Sequence, residues 1–147
     1  MSRLSPVNMW IQSRAFLDAA RREFANSSAG LSLPAYFLAA RAIELGLKSY
    51  LLLRGTDERR LRRIGHDLVK ASKAARENDF AQVARLTAED EAAIAWINEY
   101  YQSKDLEYPQ TGLKSFPDDQ ALLGTADTII GRLEPVVRRW RPESSAD

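Results

Sequence analysis

The 147-residue sequence predicts an all-α protein, an up-and-down bundle of four long helices plus one short one. Three observations carry this. Apolar residues recur at three-then-four spacing in every patterned segment, no segment alternates as a strand does, and the breaks between segments carry helix stop and start residues.

The first helix spans Val7 to about Asn26. Trp10, Leu17 and Phe24, with small Ser13 and Ala20 between them, make one apolar stripe. "NSSAGLSLP" interrupts the pattern: Gly30 can end a helix, Ser32 can cap the next, and Pro34 suits a first turn. The second helix, about Pro34 to Arg54, is apolar around most of its circumference and therefore needs neighbours on several sides. It is the expected central helix, with Gly46 at its middle permitting one close approach. Gly55 ends it.

An Arg-rich connection, "TDERRLRRIGHDL", leads to a shorter helix at about Asp67 to Glu77. Thr87 with Asp90 three residues on forms a capping-box start for the fourth helix, which turns Ile94, Ile97 and Tyr101 inward. "KDLEYPQTGLKSFPDD" reads as a loop, and Ser115 with Asp118 repeats the capping pattern ahead of the fifth helix. That helix carries the cleanest stripe, Leu122, Ala126, Ile129, Leu133, Val136 and Trp140. Pro135 within it should introduce a bend, since its ring opposes the carbonyl of Gly131. Residues 141–147 form a polar tail, and 1–147 reads as a single domain.

Composition narrows the function classes. A net charge of +1 gives no global field toward nucleic acid or an acidic membrane, although local basic clusters remain. The absence of cysteine removes disulfides and thiolate zinc sites and suits a reducing cytoplasm, the expected location. One histidine excludes a His-rich metal site, no calcium-type loop is visible, and no cofactor is expected. The start "MSRLSPVNMW" lacks a signal-peptide core, and charges interrupt the most apolar segment, so no membrane association is expected.

Those charges are Arg41, Glu44 and Lys48, which share one face of the central helix with the acid between two bases. Three roles are open to them: a solvated edge, a groove facing a ligand or subunit, or direct chemistry. Two arginine clusters follow, "RGTDERRLRR" with Arg54, Arg59, Arg60, Arg62 and Arg63, and "VVRRWRPE" with Arg138, Arg139 and Arg141 beside Trp140. Arginine forks match phosphate oxygens and an aromatic ring can stack on a base. Both clusters also lie at helix C-termini, where cations meet the helix dipole favourably.

The order "AIELGLKSYLLLRG", Arg-rich connection, "GHDLVKAS", "INEYYQSKDLEYPQTG" resembles the HEPN family of small helical-bundle domains, over about Leu38 to Pro109. An acid followed by a lysine on the second helix (Glu44, Lys48), a His-Asp-Leu opening the third (His66, Asp67, Leu68) and an aromatic pair before a basic segment ending in Tyr-Pro carry the likeness. The resemblance implies a homodimer that binds a nucleotide or RNA, or works beside a nucleotidyltransferase, in toxin–antitoxin or defence systems. On that basis Arg41, Glu44, Lys48, Tyr100, Lys104 and Tyr108 are the expected ligand-binding residues of a non-catalytic domain. The family's ribonucleases pair an Arg with a His several residues later, which makes Arg60 and His66 the catalytic alternative for a metal-independent ribonuclease. Here Leu61 stands where those enzymes usually carry a polar residue, and the pair precedes the third helix instead of lying in a late one. A third reading is a structural, partner-binding bundle without a small ligand. His66 has an ordinary role available too, as a half-buried residue at a helix entry beside the capping Asp67.

Overall fold

The structure is a computed structural model that describes residues 4–27, 32–106 and 115–142. Among the described residues it is a helical bundle without strands. Its elements are α1 (Pro6–Asn26), α2 (Leu33–Leu53), α3 (Glu58–Ile64), α4 (Leu68–Glu77), a 3-10 turn (Phe80–Gln82), α5 (Ala88–Gln102) and α6 (Asp119–Arg139).

The second helix is central, as its composition requires. α1, α4, α5 and α6 all pack on α2, which buries Ala39, Ala40, Ile43, Leu47 and Leu51 completely. At Gly46 the approach is close enough that an added Cβ would lie 3.2 Å from both Ile129 Cγ2 and Ile130 Cγ1 of α6. From α1, Ser13, Leu17 and Ala20 supply the fully buried stripe.

Helix boundaries follow local chemistry. Ser32 accepts a hydrogen bond from the Ala35 amide at the start of α2, with proline in the first turn. Gly55, at φ 91°, lets the chain turn back so that the Thr56 amide reaches Leu51 O at 2.9 Å. Thr87 and Asp90 exchange both bonds of a capping box.

Three expectations are corrected. The Arg-rich connection is not a plain linker. Its middle forms α3, because Asp57 caps the Arg60 amide while Leu61 and Ile64, one turn apart, drop into the core. The bundle thus has two short helices, not one. Ser115 does not cap the last helix: Asp118 does, accepting from the Ala121 amide, and the Ser115 carbonyl instead accepts from Trp96 Nε1 at 2.9 Å. Near the end of α6 the apolar stripe buries Val137, with Val136 and the terminal Trp140 only half-buried. α6 continues through Pro135 to Arg139. Among the described residues, no helix is long and apolar enough to cross a membrane.

Candidate functional site

The charged line of α2 lies at one edge of the core. Its spacing stacks Arg41, Glu44 and Lys48 along that edge. Glu44, 2 % exposed, is the hub. Its Oε2 accepts from Lys48 Nζ at 2.8 Å and from Arg41 Nη1 at 3.2 Å. Its Oε1 accepts from the Tyr101 hydroxyl at 2.5 Å and meets His66 Nδ1 at 2.9 Å. One carboxylate therefore ties α2 to α5 and to the turn between α3 and α4.

That turn is held from three sides. Gly65 closes α3 at φ 60°, ψ −136°, a backbone conformation that suits glycine. Lys48 Nζ donates to the Gly65 carbonyl at 2.6 Å. Asp67 caps α4 through the Lys70 amide, and Asn98 of α5 accepts from the Leu68 amide at 2.7 Å while donating to Asp67 Oδ1 at 3.1 Å. His66 is thus fixed by its neighbours although its side chain is 58 % exposed, more open than a half-buried entry residue.

The electrostatics follow from this geometry. Burial alone would raise the Glu44 carboxyl, but hydrogen bonds from Lys48, Tyr101 and His66 outweigh it and hold the group below the ordinary carboxylate range. Burial, reinforced by the Glu44 charge, pushes the Tyr101 phenol well above its usual value, so it stays a donor. Nδ1 of His66 faces a carboxylate, which leaves Nε2 as the ring nitrogen able to exchange a proton with a ligand.

Two clefts flank this hub. One, about 270 Å³, is lined by Phe37, Arg41, His66, Tyr101, Gln102 and Lys104. The other, about 260 Å³, includes Lys48, Glu58, Leu61 and Arg62, and Arg41 and His66 border it as well. Arg41 and Lys104 bring positive charge to the first cleft. The nearest carboxylate in sequence to His66, Asp67, is turned into the α4 cap. Phe37 and Tyr101, with centroids 5.8 Å apart, give that cleft an aromatic wall.

Of the residues singled out in the sequence, Arg41, Glu44, Lys48, His66 and Lys104 are gathered here. Tyr100 is not: its ring packs on Phe116 at 4.5 Å and lines neither cleft. Tyr101, expected as a core residue, takes its place by placing its hydroxyl on Glu44. Tyr108, with Pro109, lies outside the described residues. Arg60 is exposed on α3 and lines neither cleft, whereas Arg62, two residues on, borders the second. Asn98 and Gln102 had no sequence signal beyond their place on α5. Among the described residues no group of three or more His, Cys, Asp or Glu is arranged to hold a metal ion.

No family model, no curated protein and no solved structure matches the chain.

Proposed function

We propose that this chain is a non-catalytic, HEPN-like binding domain whose ligand is an anion carried on nucleotide chemistry. That ligand is a free nucleotide, a nucleic-acid strand, or such a group presented with a nucleotidyltransferase partner. The observation that carries the reading is the cleft where Arg41, His66 and Lys104 converge beside Phe37 and Tyr101. A guanidinium and an ammonium suit phosphate oxygens, and the aromatic wall suits a base. Glu44 offsets only part of this charge, because its one carboxylate is shared between Arg41 and Lys48 while Lys104 adds a further cation. The hub holds Arg41 and His66 in place, so little ordering of these two remains for a ligand to induce. The HEPN resemblance supports a homodimer as the working form and a toxin–antitoxin or defence setting.

Thermal-shift screening with nucleotides and short single-stranded RNAs tests this. A ligand at a hundred times its dissociation constant adds about 2.7 kcal/mol of stability, and Arg41→Ala should reduce the shift given by the single-stranded RNAs. A panel without any stabilising member favours the structural, partner-binding alternative.

One observation favours a second reading, a metal-independent ribonuclease. The Glu44–His66 contact orients the imidazole as a general base is oriented, with a guanidinium close by. Arg41 then replaces Arg60 as the phosphate-holding group. RNA cleavage lost in His66→Ala supports it, and cleavage undiminished in that variant removes it.

A further inference from the structure

A separate cleft forms where α2 and α6 both end. About 300 Å³ in volume, it is lined by residues including Tyr50, Arg54, Asp79, Val83, Arg139 and Trp140. The two arginine clusters of the sequence therefore each send one member, Arg54 and Arg139, to the same cavity. It shares no residue with the clefts around Glu44.

We propose that this cleft is a second ligand site, specific for a small anion attached to a flat ring, of the nucleoside monophosphate class. Arg54 and Arg139 provide forks for the anionic head. Trp140, half-buried at the end of α6, offers a face on which a ring can stack, and Val83 with Tyr50 provides an apolar floor. The volume lies at the small end of the range for small-molecule sites, as a mononucleotide requires.

Helix C-termini ordinarily repel anions, but here several of the terminal carbonyls are already engaged. Arg141 Nη1 donates to the Arg138 and Trp140 carbonyls at the end of α6. The amides of Arg54, Gly55 and Thr56 close the end of α2. Arg54 meets Asp79 only loosely, at 3.6 Å with both side chains about half exposed or more, and Arg139 makes no ion pair among the described residues. Among the described residues Asp79 is then the one carboxylate lining the site, and it competes with an incoming anion for Arg54.

The test follows the tryptophan indole N–H signals of the full chain by two-dimensional NMR during titration with AMP, with inorganic phosphate and adenosine as separate arms. Trp140→Phe identifies the Trp140 signal. AMP should shift that signal saturably, and each fragment alone should bind at least tenfold more weakly. Arg139→Ala should weaken AMP binding at least tenfold. Asp79→Asn should tighten it severalfold while keeping the fold, since asparagine tolerates the φ of 65° at this position. Arg41→Ala should leave the titration unchanged, which separates this site from the cleft beside Glu44. An unmoved Trp140 signal, an indifferent Arg139→Ala, weaker binding by Asp79→Asn, or equal binding of phosphate and AMP would each overturn the proposal.

Discussion

The Tyr101 hydroxyl stands 2.5 Å from Glu44 Oε1, joining residues 57 apart in sequence across the interface of α5 and α2. The phenol donates to a buried carboxylate, a class of hydrogen bond that contributes about 1.5–3 kcal/mol. Tyr101→Phe keeps the ring and removes only the donor. Urea denaturation should show a loss in that range, with the slope of the transition unchanged.

Removing the acceptor should cost more. Glu44→Ala leaves Lys48, itself 8 % exposed, without its carboxylate. Breaking a buried pair in this way costs about 3–5 kcal/mol. Lys48→Met in the same background should restore part of that loss. A double-mutant cycle with strictly additive effects would contradict the coupling.

The same carboxylate sets a pH dependence. Its folded-state pKa lies below the unfolded value, so the unfolded chain binds more protons in the window between the two. Stability contributed by Glu44 is complete above the ordinary carboxylate value of about 4.3 and is lost as pH falls through the folded one. Denaturant titrations from about pH 6 down to about pH 3, bracketing that value, should show stability falling with acidification. The fall should be shallower in Glu44→Gln.

Two helical glycines make opposite predictions for one substitution. At Gly46 an added methyl meets Ile129 and Ile130 at 3.2 Å, inside the core. The strain of overpacking, about 1–3 kcal/mol, should exceed the gain of up to about 1 kcal/mol in helix propensity. At Gly124 nothing lies within 4 Å, so the propensity gain stands alone. Thermal melts should place Gly46→Ala below the parent and Gly124→Ala above it.

Asn98→Ala should destabilise by about 1–3 kcal/mol, because the Leu68 amide loses its buried acceptor. Hydrogen exchange should then quicken at the start of α4 more than in α6, since Asn98 hydrogen-bonds α5 directly to the first amide of α4.

What the sequence revealed depended on how far apart the interacting residues lie. The central position of α2 was legible from an apolar circumference, the Thr87–Asp90 box from a three-residue spacing, and the Gly46 contact from a small residue in a large-residue helix. α3 was hidden because arginines dominate its seven residues; its real signals are the capping Asp57 and the Leu61–Ile64 pair. The charged seam was visible along one helix face, but its completion was not. Tyr101 was readable as inward-facing, yet only the packing of α5 against α2 turns that inward position into a hydroxyl on Glu44. Tyr100, one residue earlier and about 100° round the helix, goes to Phe116 instead. Asn98 reads as an ordinary helical polar residue until α4 is placed beside it.

The most direct measurement is the salt dependence of binding to a fluorescent single-stranded RNA, for the parent chain and for Arg41→Ala/Lys104→Asn. Asparagine is chosen because Lys104 has a φ of 67°. Each phosphate-contacting cation contributes about 0.7 to the slope of log affinity against log salt, so losing two should reduce it by about 1.4. Saturable binding by the parent, weakened at least tenfold with that flatter slope in the variant, is the predicted result. Equal affinities and equal slopes would contradict the assignment of the cleft beside Glu44.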